Sequence, residues 1–209
     1  LLMDEPLSAL DRISKEEIFP YFDSLHREFT IPMLYVSHDI AEVARLADRM
    51  IVLAAGRKIA EGPTESILER LDLQPLTGRF EAGVILSARV TAHDHAFNLT
   101  RLDHHGQTIA IPGVGVNIGD EMRLRVRARD VVIALHKPEG MSIRNVFKGT
   151  VAEIREEPDT AFAETLIDIG GGHLRARITR HAVADLSLAV GTPVYALVKS
   201  ISFDRRTVG

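Results

Sequence analysis

The sequence predicts an α/β region followed by a larger all-β region, and three observations carry this prediction. Up to about residue 75, apolar runs alternate with helix-like runs, which is typical of a parallel sheet covered by helices. Beyond that point, short runs with period-two alternation are separated by glycine turns, which is typical of small barrels. The 209 residues are 45% hydrophobic, which is enough to build one or two packed cores.

The elements of the first region follow from its periodicity and its capping residues. Asp11 is a candidate N-cap for a helix with apolar residues on one face, and Pro63 is well placed to open a later helix. The predicted order is a strand over 1–3, a helix over 11–28, strands over 33–36 and 50–53 with a helix over 40–47 between them, a strand ending at residue 62, and a helix over 64–71.

The second region repeats itself. Residues 80–84 resemble residues 147–151, and residues 119–122 resemble residues 191–194. This self-similarity predicts two copies of about 60 residues each. Because the composition changes near Gln74, we predict three domains, over residues 1–75, 76–140 and 141–209.

One strand of the first copy alternates apolar residues with four arginines, Arg123, Arg125, Arg127 and Arg129. Period-two alternation places these arginines on one face, which we interpret as a solvated face. Binding of nucleic acid is disfavoured because that function requires interleaved aromatic residues and a basic domain. Aromatic residues make up only 5% of the chain, and its formal net charge is −4.

The composition also excludes several kinds of site. Without cysteine, the chain has no disulfide, no cysteine nucleophile and no thiolate metal site. No apolar run approaches the roughly 20 residues that cross a bilayer as a helix. Four histidines match no known metal-binding spacing, and we expect them on an exposed hairpin: His93, His95, His104 and His105.

The sharpest chemical signal is an acidic pair, Asp4 and Glu5, directly after the first apolar strand. Open parallel sheets bind ligands at the carboxyl edge of their strands. An aspartate there can hold Mg²⁺, which prefers hard oxygen ligands. A neighbouring glutamate can polarise an attacking water, since phosphoryl transfer depends on positioning and on charge stabilisation.

The segments around this pair resemble those of the ATPase subunits of ABC transporters. LLMDEP is similar to the Walker B segment, Ser8 to Asp11 (SALD) to the D-loop, and YVSHD, which contains His38, to the switch-histidine region. The resemblance implies that Asp4 serves Mg²⁺, that Glu5 acts on the hydrolytic water and that His38 contacts the γ-phosphate of ATP. It also implies that Ser8 and Asp11 face a second ATPase subunit in a homodimer.

Two motifs of that family are absent from this sequence. It contains no G-x-x-x-x-G-K-[ST] phosphate loop and no LSGGQ-type segment. We expect both to precede Leu1 in a longer protein, and we expect the 209 residues alone to be inactive as an ATPase. We also expect the first region to be unstable or self-associating when it is expressed alone, because a central parallel strand covered on one side leaves apolar surface exposed.

The second region resembles the molybdate-binding (Mop, or TOBE) domains that follow the ATPase domain of molybdate importers. The resemblance rests on residues 141–151 (MSIRNVFKGTV) and on a later strand at residues 198–200, and it implies an OB-like tandem domain. A tetrahedral dianion such as molybdate or tungstate requires convergent charged and hydroxyl donors. The candidate donors are Ser142, Arg144, Lys199 and Ser200.

Together, the resemblances imply the ATP-hydrolysing subunit of an ABC importer for molybdate with an oxyanion-binding regulatory domain. They imply permease subunits in the membrane and a periplasmic or extracellular substrate-binding protein as partners, and a peripheral location at the cytoplasmic face of the inner membrane. Two alternatives stay open: the ATPase of an importer for sulfate, iron or sugar, and a molybdate-binding sensor or storage module. Binding of molybdate, tungstate or sulfate to the second region would discriminate between them.

Overall fold

The computed structural model describes residues 1–28, 31–73, 82–113, 115–199 and 201–207. The chain divides into two compact units, Leu1–Ile67 and Leu68–Gly209. The first unit is mixed α/β and the second is built mainly of strands, which confirms the predicted fold class. The domain bounds at residues 75 and 140 stay a prediction. Among the described residues, no helix is long and apolar enough to span a membrane.

The N-terminal unit combines a parallel strand pair with helices and a hairpin. Its elements are β1 (Leu2–Asp4), α1 (Arg12–Glu28), β2 (Leu34–Val36), α2 (Ile40–Leu46), β3 (Arg49–Ala54), β4 (Arg57–Pro63) and α3 (Thr64–Glu69). Strands β1 and β2 are parallel, with Leu2 opposite Leu34 and Asp4 opposite Val36. Both strands therefore end at the same edge of the sheet.

The third predicted strand does not join this parallel pair within the described residues. Strand β3 instead pairs antiparallel with β4, and Ala54 lies opposite Arg57. The two residues between them, Ala55 and Gly56, have φ angles of 48° and 70°. Two consecutive residues with positive φ form the tight turn that suits the twist of a hairpin, so β3 returns directly along β4.

One apolar cluster of the N-terminal unit involves both α1 and α2. Leu7, Phe19 and Leu46 are buried together, and the Arg45 guanidinium lies 4.2 Å from the centre of the Phe19 ring. On the parallel strand pair, Leu2 and Leu34 are exposed. Exposed apolar side chains along a parallel pair agree with the reasoning that this sheet is covered on one side only.

In its described residues, the C-terminal unit contains two five-stranded antiparallel sheets. Its strands are β5 (Gly83–Asp94), β6 (Leu99–His104), β7 (Gln107–Pro112), β8 (Glu121–Arg127), β9 (Val131–Ala134), β10 (Asn145–Glu156), β11 (Phe162–Asp168), β12 (His173–Thr179), β13 (Pro193–Val198) and β14 (Ser202–Thr207), with a short helix α4 (Arg180–Asp185) after β12. The strand orders are β14-β8-β5-β6-β7 in one sheet and β9-β13-β10-β11-β12 in the other.

These two orders are the same topology used twice, with the last strands exchanged. Strand β9 follows β8 in the chain but pairs with β13 of the second copy. Strand β14 follows β13 but pairs with β8 of the first copy. The predicted tandem architecture is therefore confirmed, and each sheet is completed by a strand from the other copy.

Both sheets contribute to one apolar cluster that runs from Val84 to Val198. Phe147 is fully buried in it. Close strand packing also requires a glycine at position 149, because a Cβ there would lie 2.5 Å from the carbonyl oxygen of Asp168. A buried ion pair joins β11 to β12, with Arg175 Nε 2.7 Å from Glu164 Oε2.

Candidate functional site

The parallel pairing of β1 and β2 brings Glu5 and His38 together. The Glu5 N–H donates to the carbonyl oxygen of Val36 at 2.9 Å, which extends the pairing by one residue past the strand ends. Glu5 Oε1 accepts the backbone N–H of His38 at 3.1 Å and lies 2.8 Å from Nδ1 of the His38 ring. A carboxylate can only accept, so Nδ1 carries the proton and Nε2 is the ring nitrogen left for another partner.

The backbone of Glu5 is strained in a way that suits a functional residue. Its φ angle is 45°, in the left-handed region that favours glycine. Residues held in that region cluster at active sites, where the surrounding structure maintains the strain. Here the Val36 hydrogen bond on one side and the Ser8 contacts on the other hold Glu5 in place.

Glu5 also controls the charge of His38. The hydrogen bond from the ring to the Glu5 carboxylate raises the pKa of His38 above 6.5, and the negative charge of Glu5 adds to the effect. The His38 side chain is 82% exposed and that of Glu5 is 35% exposed. The pair is therefore accessible to a ligand from solvent.

Asp4 lies one residue before this pair, opposite Val36 at the end of β1. It is exposed at the carboxyl edge of the parallel strands. Its oxygens are hard donors of the kind that Mg²⁺ selects, and the exposure leaves room for the waters that Mg²⁺ usually keeps. The position and chemistry of Asp4 thus fit a magnesium ligand.

The segment from Ser8 to Asp11 connects the acidic pair to helix α1. Ser8 donates to the Glu5 carbonyl oxygen from its backbone N–H at 3.2 Å and from Oγ at 2.9 Å. Asp11 Oδ1 accepts the backbone N–H groups of Ile13 at 2.8 Å and Ser14 at 3.0 Å. The backbone bond from Ser14 is the main cause that lowers the pKa of Asp11. The predicted N-cap is confirmed, and the role of Ser8 and Asp11 at a dimer interface stays a prediction.

A polar network behind His38 was missed at the level of sequence. Lys15 Nζ lies 2.6 Å from Glu42 Oε1 and 3.1 Å from Asp39 Oδ2. The bond to Glu42 is the main cause that raises the pKa of Lys15. Lys15 is on α1 and Glu42 is on α2, and no local pattern of the sequence connects two residues that far apart.

In the C-terminal unit, the strand register brings two of the predicted oxyanion donors to one edge. Asn145 lies opposite Val198, so Arg144 and Lys199 flank the same end of the β10–β13 pair. Ser142, Arg144 and Lys199 are all exposed. Ser200 lies outside the described residues. The assignment of these four residues to an oxyanion site stays a prediction.

Asn145, which follows Arg144, has a structural role that its sequence context did not indicate. Its side chain is buried and accepts the N–H of Ala110 at 2.7 Å, while its amide nitrogen donates to the carbonyl oxygen of Ala110 at 3.0 Å. The side chain thus pairs with the backbone of β7 as another strand would. It joins the sheet of the second copy to that of the first.

Two expectations about charged and histidine side chains are wrong. Arg123 is only 6% exposed, so the arginine face of β8 is not fully solvated. His104 is buried, with Nδ1 2.7 Å from the carbonyl oxygen of Ser87, because its hairpin packs beside the glycines at 171 and 172 instead of projecting into solvent. In the described part of the chain, no group of three or more His, Asp or Glu residues has the geometry of a metal site.

Comparison with known proteins gives a family match within the second unit and relatives that match the whole chain. Residues 141–202 match the TOBE domain. The Molybdenum import ATP-binding protein ModC of Mesorhizobium japonicum is 45% identical over 209 residues, which are 100% of this chain and 56% of that protein. The protein of the same name from Aromatoleum aromaticum is 45% identical over 205 residues, or 98% of this chain and 54% of the relative. The chain therefore spans about half the length of the curated relatives it matches.

A solved structure supports the tandem fold of the second unit. The cytoplasmic molybdate-binding protein ModG, with molybdate bound, aligns with 57% of this chain and 94% of its own chain, at a TM-score of 0.50 and 23% identity. At this identity the likeness shows the fold alone.

Proposed function

We propose that the full-length protein containing this chain is the ATP-hydrolysing subunit of a molybdate importer, with a C-terminal domain that binds oxyanion and regulates transport. The observation that carries the proposal is the contact between Glu5 and His38 at the carboxyl edge of two parallel strands. The names of the relatives, which match this chain along its whole length, support the same function.

In the proposed mechanism, the acidic pair and His38 divide the work of ATP hydrolysis. Asp4 would hold Mg²⁺, which neutralises charge on the phosphates. The Glu5 carboxylate orients and polarises the attacking water, while its contact with Nδ1 of His38 fixes the ring. His38 Nε2 then faces the γ-phosphate as a donor, because the raised pKa of the ring favours its protonated form.

The remaining partners follow from the same proposal. Ser8 and Asp11 face a second ATPase subunit, and ATP closes the homodimer. Its closure drives the permease subunits, which receive molybdate from a periplasmic or extracellular binding protein. The ATPase lies peripherally at the cytoplasmic face of the inner membrane. Alone, the 209 residues are proposed to be inactive, since the phosphate loop is not among them.

Substitution of Glu5 tests the proposal directly. In the full-length protein, Glu5→Gln removes the base and keeps the side-chain volume, so we expect ATP hydrolysis to fall by about 10²- to 10⁴-fold while ATP binding is retained. Glu61→Gln provides the matched control, because Glu61 is an exposed carboxylate paired with Lys58 on the hairpin. Hydrolysis at the wild-type rate in Glu5→Gln would contradict the proposal.

Substitution of the predicted oxyanion donors tests which anion the importer carries. Arg144→Ala and Lys199→Ala are expected to weaken binding of molybdate and tungstate to the full-length protein, measured by calorimetry, because each removes a charge-assisted donor. Sulfate is the matched control ligand. Binding of sulfate as tight as that of molybdate would favour an importer for a different oxyanion.

A further inference from the structure

Glu42 is a carboxylate held almost entirely out of solvent behind the candidate site. Its exposed fraction is 2%, and its oxygens accept hydrogen bonds from three side chains. Lys15 Nζ donates to Oε1 at 2.6 Å, and the hydroxyl groups of Tyr35 and Ser37 donate to Oε2 at 2.7 Å and 2.9 Å. A buried charge is costly unless it is paired and hydrogen-bonded, and Glu42 meets both conditions.

Two residues that are bonded to Glu42 or to Lys15 flank His38 in the sequence. Ser37 donates its hydroxyl to Glu42, and the same oxygen accepts the backbone N–H of Asp39 at 3.0 Å. Asp39 accepts from Lys15 at 3.1 Å through Oδ2, while its Oδ1 caps α2 by accepting the N–H of Ala41 at 2.9 Å. The backbone that carries His38 is thus fixed one residue before and one residue after it.

The His38 ring contacts Glu5, which is not one of the side chains bonded to Glu42 or Lys15. The network therefore determines where the ring is placed without taking part in its contact with Glu5. We infer that Glu42, which is held by Lys15 and accepts the Ser37 hydroxyl, is a positioning residue that sets His38 for ATP hydrolysis. This inference rests on the proposed function.

The chemistry of the network distinguishes positioning from simple packing. Packing alone does not require this pair, because replacing a whole buried ion pair with apolar side chains of similar volume is often neutral or stabilising. An apolar side chain at position 42 alone would remove the acceptor of the Tyr35 and Ser37 hydroxyl groups and would leave Lys15 paired with Asp39. The Lys15–Glu42 pair also connects the start of α1 to the start of α2, and α2 begins two residues after His38.

The test uses the full-length protein with Glu42→Gln and Ser37→Ala, and with Glu61→Gln as the control. Steady-state hydrolysis gives kcat and the KM for ATP, and NMR follows the ring resonances of His38, assigned by their loss in His38→Ala. We expect both test variants to lower kcat by about 10-fold, to leave the KM nearly unchanged and to shift the His38 resonances. Glu61→Gln should change none of these.

Each outcome decides the question. Unchanged kcat in both test variants, or a lower kcat with unmoved His38 resonances, overturns the inference and assigns Glu42 a structural role. Ser37→Ala decides alone if Glu42→Gln fails to fold, because it removes one hydroxyl and leaves the Lys15–Glu42 pair in place. Wild-type hydrolysis that Glu5→Gln abolishes would still support the proposed function. Absence of hydrolysis in the wild type would instead overturn the proposed function.

Discussion

The two units of this chain bury their apolar surface differently. The C-terminal unit encloses one cluster with two sheets that exchange their last strands. The N-terminal unit buries Leu7, Phe19 and Leu46 together and leaves Leu2 and Leu34 of its parallel strands exposed. We call the C-terminal unit the closed unit and the N-terminal unit the open unit. The candidate catalytic residues lie on the open unit, at a strand edge where a ligand can reach them. The comparison shows that the candidate ATPase residues are on the unit whose parallel strands expose apolar side chains.

The largest effect should come from opening a cavity in the closed unit. Phe147→Ala is expected to lower the free energy of unfolding of the C-terminal unit by about 3–5 kcal/mol, because Phe147 is fully buried in the apolar cluster. Phe19→Ala should cost the N-terminal unit about 3 kcal/mol or less, since an open unit relaxes around the gap. Hydrogen exchange at increasing denaturant concentration measures the two units separately. Equal losses would contradict the comparison.

A smaller effect is expected from the helix caps, which occur in both units. Thr179 accepts the N–H of Ala182 at the start of α4, so Thr179→Ala should cost about 1 kcal/mol. Asp39→Ala removes the cap of α2 and also the bond from Lys15, and we expect a cost of about 2 kcal/mol. Hydrogen exchange of the two helices provides the measurement. A larger cost for Thr179→Ala would show that the Lys15 bond adds nothing.

The pH dependence of the open unit should follow His38. Because its pKa is raised in the folded protein, the contact with Glu5 stabilises the fold fully below about 6.5 and is lost as the pH rises through the higher folded-state value. NMR titration of the ring should give an apparent pKa above 6.5, and Glu5→Gln should lower it. A value at or below 6.5 in the wild type would exclude the ion pair in solution.

The smallest effect is expected at the exposed ion pairs of the hairpin. Glu61 lies 3.0 Å from Lys58 and 3.5 Å from Arg49, and all three side chains are at least 40% exposed. Water and salt screen such contacts, so Glu61→Gln should leave the thermal unfolding midpoint unchanged within error. A clear shift would mean that the hairpin contributes more to the N-terminal unit than its exposure implies.

Local patterns in the sequence predicted the features that depend on neighbouring residues. Short segments were enough to predict the strand before Asp4 and the capping role of the Asp11 side chain. The tandem architecture followed from internal similarity. The acidic pair and His38 were connected by a family resemblance and by the rule that parallel strands end at one edge.

The features that were missed depend on pairing between distant residues. Lys15 and Glu42 come from two different helices, and nothing in either segment specifies the other. Strands β9 and β14 exchange between copies because both copies offer equivalent edges, which local periodicity cannot distinguish. The burial of His104 likewise depends on the glycine turn at 171 and 172, far along the chain.

The most direct test of the account is a double-mutant cycle between Glu5 and His38 in the full-length protein. If the carboxylate and the ring act as one unit, Glu5→Gln, His38→Ala and the double variant should lose ATP hydrolysis to nearly the same extent. Losses that simply multiply in the double variant, or full activity in Glu5→Gln, would contradict it.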